Sequence, residues 1–225
     1  IKGGNAVAAL DIPEPAMEVI RERCAQTGAR LITPDRSELE ILEKPGLRGS
    51  RFRYRGQEYR LYLGGAYQVT NALTAIEALT CAGVTPAHIA MGIERARIPA
   101  RMELLPGDIL LDGGHNPQAA RAVRSALEDS GYERRTAFIG MMNTKDHRAF
   151  LQEILPCFDR VYFCDGFSEG EVPAEELRRA SGLDGAEIFH SPREALKFAR
   201  RDHEGGLMYF GGSFYFAAAV REYLV

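Results

Sequence analysis

The sequence lacks several signals that would place a protein in a class at once. It has no G-x-x-x-x-G-K-[ST] phosphate loop, so it carries no triphosphate-binding loop of that kind. It has no apolar run long enough to span a membrane and no signal-peptide pattern at its start. Because it does not begin with Met, we expect the chain to start inside a longer protein.

Cysteine is scarce and charge is nearly balanced. The four cysteines form no C-x-x-C pair, which favours reduced core thiols in a cytoplasmic protein over disulfides or a metal site. The formal net charge is -3, so nothing indicates binding to nucleic acid or to an anionic membrane. A length of 225 residues fits one large domain or two small ones.

The second half alternates short apolar runs with helical patterns. The runs are "DILLD", "TAFIGM", "RVYFCD", "EIFHS" and "GLMYFGG", and the helical patterns after them cover 117–130, 147–155, 173–180, 192–201 and 213–224. Five strand-then-helix units in series predict an α/β fold with a mostly parallel sheet and helices on its faces.

The first hundred residues are less regular. They suggest strands at "NAVAAL" and "RLITP", a helix over 15–27, a hairpin turning near Arg55-Gly56, and helices over 67–82 and 86–96. These elements are too few for a complete α/β core, which predicts a domain cut through its middle. The stretch "RIPARMELLPG", with two prolines, is the predicted linker between a first domain, 1–98, and a second, 102–225.

A strand-to-helix corner, "LLDGGHNPQAARAV", carries the strongest chemical signal. Asp112 ends a predicted strand, and ligands of open parallel sheets bind at such ends. Asn116 and Pro117 suit the cap and first position of a helix, which is a purely structural explanation. Alternatively, Asp112 accepts hydrogen bonds from a ribose diol, and His115 with the helix start faces phosphate or carboxylate oxygens. Metal ligation by Asp112 and His115 is less favoured, because no further ligands cluster nearby.

Four stretches in order resemble a known family. The stretch "ARMELLPGDILLDGGHNPQAARAV" is similar to the linker and first strand-helix unit of the C-terminal domain of folylpolyglutamate synthase/dihydrofolate synthase, in the Mur ligase superfamily. The other three, "LGGAYQVTNALTAIEAL", "IGMMNTKD" and "FGGSFYFAAAVREYL", resemble its G-x-[HY]-Q-x-x-N-x-x-x-A helix, its G-x-x-x-D-K-D segment and its closing G-S-x-Y strand and helix. There are departures: Ala100 replaces the family's usual linker glycine, and Asn143 and Thr144 replace the usual residues before Lys145.

The resemblance implies both a fold and a reaction. Residues 102–225 would form a C-terminal Rossmann-like ligase domain, preceded by the remainder of a truncated α/β central ATPase domain. The family uses ATP and Mg²⁺ to join L-glutamate to folate or dihydropteroate through an acyl phosphate. The phosphate loop and most metal ligands would lie upstream, with no metal ligand in this chain. The implied partners are those small molecules, and we expect a monomer.

The resemblance also assigns residues. It implies ATP binding by Gln68, Asn71, Arg101 and Asp112. It implies glutamate binding by His115, Asn116, Lys145, Ser213 and Tyr215, with His115 also catalytic. Each residue type has an ordinary structural explanation: Asn71 as a polar group on a helix face, Ser213 as a helix N-cap, and Arg101 and Lys145 as solvated side chains.

Two other functions stay open at this point. The first is another superfamily ligase that acts on a muropeptide or a related acid. The second is a non-catalytic nucleotide-binding module, which the missing phosphate loop would suit. The residues alone, without the resemblance, support only an α/β domain with a nucleotide site at Asp112.

Overall fold

The computed structural model describes residues 3–128, 130–202 and 205–224. The chain forms two compact units. The first contains the chain up to Pro45 together with Gly49–Tyr62 and Ala66–Arg97, and the second contains Gly46–Arg48, Leu63–Gly65 and the chain from Ile98 onward. None of the helices in the described ranges is long and apolar enough to cross a membrane.

The elements before Ile98 confirm the predicted strands, helices and hairpin and add one strand. They are β1 (Asn5–Val7), α1 (Glu14–Thr27), β2 (Arg30–Ile32), β3 (Leu39–Gly46), β4 (Gly49–Tyr54), β5 (Gln57–Leu61), α2 (Tyr67–Cys81) and α3 (Pro86–Arg95). The added strand is β3, whose sequence "LEILEKPG" contains a proline. Proline cannot donate to a ladder and is confined to edge strands, and β3 is indeed at the edge of the sheet β3-β4-β5.

Strands β1 and β2 form a two-stranded parallel sheet, with Ala6 opposite Leu31 and α1 as the crossover. Parallel sheets are usually wider than two strands and covered on both faces. Here Ala6, Val7, Leu31 and Ile32 are only half-buried. Together with α1, the pair forms a β-α-β unit, the unit from which parallel α/β sheets are built.

A buried carboxylate organises the antiparallel sheet and α2. Glu77, on α2, is 2% exposed, and Tyr54 donates a 2.5 Å hydrogen bond to it. The Asp35 N–H donates to the same Tyr54 hydroxyl at 3.0 Å, and Arg55 pairs with Glu77 at 3.1 Å. A buried charge is tolerated when it is paired and hydrogen-bonded in this way.

We expect this network to weaken in alkaline solution. Burial, and then the hydrogen bond to Glu77, raise the pKa of Tyr54 to about 12 from its ordinary value of 10.0. Because the folded-state pKa lies above the unfolded one, the stability that Tyr54 contributes is fully present below pH 10.0 and is lost as the pH rises through about 12.

Urea denaturation of the wild-type protein and a Tyr54→Phe variant tests this expectation. The variant leaves the Asp35 N–H and Glu77 without the hydroxyl, so it should unfold at lower urea at pH 8. The difference between the two proteins should shrink toward pH 12. A difference that stays constant over that range would contradict the assigned role of the hydroxyl.

The second unit holds a six-stranded sheet in the order β10-β9-β8-β11-β7-β6. Its elements are β6 (Glu103–Leu105), β7 (Ile109–Asp112), α4 (Pro117–Glu128), β8 (Arg135–Ile139), α5 (His147–Ile154), β9 (Arg160–Cys164), α6 (Ala174–Ser181), β10 (Ile188–Phe189), α7 (Pro192–Arg201), β11 (Leu207–Gly211) and α8 (Phe214–Arg221). All five predicted strand-helix units are present. The sheet is parallel except for β6, which pairs antiparallel with β7.

Helices cover both faces of this sheet, as the predicted fold class requires. Helix α4 packs on α5 and α5 on α6, while α7 packs on α8. Side chains alternate along the strands, so Leu111 and Phe210 point toward the α7–α8 layer and join one core with Phe216 and Val220. Right-handed crossovers produce this division, because the chain runs in one direction from β7 to β10 and then returns to β11.

Candidate functional site

Three strands of the second sheet end side by side. Asp112 of β7 lies opposite Gly211 of β11, and Gly211 lies opposite Ile139 of β8. Neighbouring strands are about 4.8 Å apart, so the loops that follow these residues emerge together. The helix after β11 belongs to a different face from the helices after β7 and β8. Where the helices change from one face of the sheet to the other, a crevice forms, and open α/β sheets bind ligands in such crevices. We call this crevice the strand-end site.

Asp112 is almost completely enclosed at the strand-end site. It is 3% exposed, and its two oxygens accept hydrogen bonds from the Gly114 N–H at 2.6 Å and the Met102 N–H at 3.1 Å. Burial raises the pKa of its carboxyl, although these two donors, Arg101 and His115 act in the opposite direction. Asp112 therefore ties the linker to the end of β7, a role that the sequence did not reveal.

His115 and Asn116 occupy the turn between β7 and α4. The His115 Nδ1 lies 3.1 Å from the Gly113 carbonyl oxygen. Because a carbonyl only accepts, Nδ1 is the donor in this contact. The Asn116 Oδ1 accepts from the Ala119 N–H at 2.8 Å, so the predicted N-cap of α4 is confirmed.

The loop after β11 begins a second helix at the same sheet edge. Ser213 is 2% exposed, and its hydroxyl oxygen accepts from the Tyr215 N–H at 3.1 Å, which confirms it as the N-cap of α8. Tyr215 is 61% exposed on the first turn of α8.

Lys145 follows β8 on an exposed loop that a neighbouring loop supports. The Asn143 N–H donates to Gly170 O at 3.0 Å, and the Val172 N–H donates to Met141 O at 2.8 Å. The next residue, Asp146, caps α5 by accepting from the Ala149 N–H at 3.0 Å. Within the residues that the structure describes, the Lys145 ammonium has no ion-pair partner, so it is available to an anionic ligand.

Glu171 stiffens the supporting loop. Its carboxylate accepts three backbone hydrogen bonds, from Gly166 at 2.6 Å, Phe167 at 2.8 Å and Ser168 at 2.9 Å. A carboxylate enclosed by consecutive N–H groups is strongly bound. The pattern was invisible in the sequence because "DGFSEGEVP" has no helical or strand period.

Arg101 stacks on an aromatic ring. Its guanidinium carbon lies 4.2 Å from the centroid of the Phe214 ring, a cation–π contact. Gly113 also lies against that ring, because any Cβ at Gly113 would collide with Phe214. Phe214 is a site residue that sequence analysis missed, although it lies inside the quoted "GGSFYF" stretch.

Gln68 and Asn71 lie on α2 in the first unit. Gln68 is 3% exposed, and its Oε1 accepts from the Asn71 Nδ2 at 3.0 Å. The amide of Asn71 is thus oriented with its carbonyl oxygen free to accept, and Asn71 itself is exposed. Gln68 therefore orients the Asn71 amide, and its own buried side chain does not face solvent.

A metal site would need several ligating side chains close together. Over the described ranges, no group of three or more His, Cys, Asp or Glu side chains could hold a metal ion. The Asp112 and His115 pair does not form such a group, since Asp112 already accepts two backbone hydrogen bonds.

Comparison with known proteins identifies relatives of this chain. The family described as "Mur ligase, glutamate ligase domain" matches residues 100–214, just over half of the chain. A folylpolyglutamate synthase from Lacticaseibacillus casei is 28% identical over 244 residues, which cover 100% of this chain and 55% of that protein. The chain thus spans about half the length of this curated relative.

Solved structures share the fold. A Mycobacterium tuberculosis folylpolyglutamate synthase in complex with ADP and AMPPCP superposes with a TM-score of 0.82 and 22% identity over 97% of this chain and 55% of that one. A bifunctional folylpolyglutamate synthase/dihydrofolate synthase from Yersinia pestis, complexed with AMPPNP and Mn, gives a TM-score of 0.78 and 23% identity over 98% and 53%.

Proposed function

Because the chain belongs to the Mur ligase family through its glutamate ligase domain, we propose that it is the C-terminal portion of an ATP-dependent ligase that adds L-glutamate to folate or dihydropteroate. Residues 1–98 would be the end of a central ATP-binding domain, and the half-exposed β1–β2 pair would continue into its sheet. The family match that begins at residue 100 supports this division, and the 55% coverage of the L. casei synthase supports the reading of the chain as a portion of a longer protein.

One observation carries the proposal: strands β7, β11 and β8 end in register. That register brings Asp112, His115 and Ser213 to one sheet edge, together with the loop of Lys145 and the starts of α4 and α8. Helix starts and lysine favour anions, and both ATP and glutamate are anionic. A muropeptide ligase would share this edge, but the L. casei relative favours folate chemistry.

We assign nucleotide binding to four residues. Arg101 would contact phosphate oxygens, because guanidinium is the cation best suited to them. Asn71, oriented by Gln68, would accept from the adenine amino group through its free carbonyl oxygen. Asp112 would contribute its remaining lone pairs to the ribose, in addition to holding the linker.

We assign glutamate binding to the loops after β8 and β11 and to the turn after β7. Lys145 supplies a positive charge, and the Ser213 hydroxyl and Tyr215 supply directed hydrogen bonds to carboxylate oxygens. His115 and Asn116 would face the amino group and the acyl phosphate.

The reaction forms one amide bond. The γ-phosphoryl group of ATP passes to the substrate carboxylate and ADP leaves. The glutamate amine then attacks the acyl carbon and inorganic phosphate leaves. The amine must lose a proton, and His115 would accept it through Nε2. Such catalysis consists mainly of positioning and charge neutralisation. Since no described cluster fits Mg²⁺, no step in this chain is derived through the metal.

The proposal extends to partners and setting. The small-molecule partners would be ATP, L-glutamate and the pteridine acid. We propose a cytoplasmic protein, as its four free cysteines favour, and we propose that it acts as a monomer.

Glutamate-dependent release of ADP tests the proposed function. We expect activity from the full-length protein with folate or dihydropteroate, and none above background from the 225-residue chain alone, because it carries no phosphate loop. Comparable activity in the two proteins would contradict the assignment of the chain as a dependent portion. If the full-length protein were active with a muropeptide and not with folate or dihydropteroate, it would be a muropeptide ligase.

A further inference from the structure

Helix α8 touches the linker at both of its ends. Phe214, its first residue, lies under Arg101. Arg221, its last residue, donates through Nε to Glu103 at 3.1 Å. Residues seven apart in a helix lie on the same face, so one face of α8 runs along linker residues 100–103. The Arg221–Glu103 pair is partly buried, with side chains 32% and 19% exposed.

The linker has an unusual backbone on both sides of Arg101. Ala100 has a φ of 54° and Met102 a φ of 45°, both in the left-handed region that non-glycine residues rarely adopt. Such conformations persist where the surroundings hold them. Ala100 is held twice, since its oxygen accepts from the Gly113 N–H at 2.7 Å and its N–H donates to Glu103 at 2.9 Å.

These contacts form two connected supports for Arg101. Arg221 orients Glu103, and Glu103 holds the Ala100 N–H. Phe214, fixed against Gly113, provides the flat surface on which the guanidinium lies. The half-buried Phe214 ring packs against the core cluster of the sheet and is also in cation–π contact with Arg101, so it connects the linker to that core.

We propose that Phe214 and Arg221 are positioning residues that hold linker residues 100–103 in the conformation that directs Arg101 toward the nucleotide. The nucleotide part of this proposal rests on the proposed function. The support of the linker does not, because every contact in it lies within the second unit.

Two measurements on the full-length protein separate these parts. Hydrogen exchange, followed by mass spectrometry of a peptide that covers residues 98–104, reports on the linker without any ligand. Titration calorimetry with a non-hydrolysable ATP analogue reports on the nucleotide. Phe214→Leu removes the aromatic face and Phe214→Tyr keeps it, while Arg221→Met removes the charge and Arg221→Lys keeps it.

We expect faster exchange of the linker peptide and about 3- to 10-fold weaker nucleotide binding in Phe214→Leu and Arg221→Met, the range that loss of a cation–π contact or a partly buried ion pair produces. Phe214→Tyr should behave as wild type, and Arg221→Lys should fall between. The KM for glutamate should not change. Tyr223→Leu and Arg200→Met, which alter exposed side chains of the same types, should change neither measurement.

Unchanged exchange in both removal variants would overturn the proposed support. Faster exchange with unchanged nucleotide affinity would overturn the link to Arg101. If the wild-type protein bound no nucleotide, the proposed function would fail, and the exchange result would still decide whether α8 supports the linker.

Discussion

Lys145→Ala in the full-length protein is expected to raise the KM for glutamate by about 10- to 100-fold, the effect of losing a hydrogen bond to a charged group worth roughly 1.5–3 kcal/mol. The KM for ATP should stay within about twofold. The reason is chemical: the attacking amine of glutamate must be neutral and free, so the protein has to hold this substrate by its two carboxylates. A lysine with no ion-pair partner among the described residues is the group that meets this need.

Two variants make the result specific. Lys197→Ala removes an exposed lysine from α7, away from the strand ends, and should leave both KM values unchanged. Ser213→Ala should raise the glutamate KM by a smaller factor, because it removes a neutral hydrogen bond, about 1 kcal/mol. An unchanged glutamate KM and kcat in Lys145→Ala would remove Lys145 from the site.

The parallel sheet could be predicted from the sequence, because short apolar runs alternated with helical patterns and both signals are local. Two strands were missed for the same kind of reason. The β3 run contains Pro45, and β6 lies inside a stretch with two prolines that favoured a linker. Each of these strands is at the edge of its sheet. Pattern alone rarely identifies such strands.

The strand end and the helix caps at the candidate site were predictable from the sequence, and the contacts that support the linker were not. Asp112, Ser213 and Asn116 are at strand ends and helix caps, where local sequence signals are strong. The contacts of Phe214 and Arg221 with the linker span more than a hundred residues of sequence. They depend on positive φ values at Ala100 and Met102. Neither alanine nor methionine indicates a positive φ, as glycine would. Ala100, where glycine is usual, conceals the backbone geometry.

The burial of Asp112 changes what its substitution should do. If Asp112 contacted only the ribose, its replacement by alanine would lower the affinity for ATP and leave the stability of the fold unchanged. The structure shows instead that both carboxylate oxygens accept backbone hydrogen bonds out of contact with water. Replacement therefore leaves the N–H groups of Met102 and Gly114 buried without an acceptor.

Asp112→Ala should consequently lower the free energy of unfolding by roughly 2–6 kcal/mol, since each of the two buried N–H groups left unpaired costs about 1–3 kcal/mol. Asp112→Asn keeps one acceptor oxygen but turns an NH₂ group toward the other N–H, so it should lose about half as much. A matched control is Asp159→Asn, just before β9, where an exposed carboxylate accepts the Arg135 N–H at 2.8 Å.

Asp112→Ala should also weaken nucleotide binding. The hydrogen bond from the Met102 N–H to Asp112 holds the linker next to Arg101, and the variant removes it. The two causes separate by measurement. Urea denaturation and titration with an ATP analogue, both at a temperature where the variants are folded, give the two free energies independently. Weaker binding with unchanged stability would restore the simpler role of Asp112 as a ribose ligand alone. Lower stability with unchanged binding would leave Asp112 as a support of the linker and remove it from the nucleotide site. We expect Asp112→Ala to lose both stability and nucleotide affinity. The reason is that the buried carboxylate accepts one hydrogen bond from the linker and another from the turn before α4.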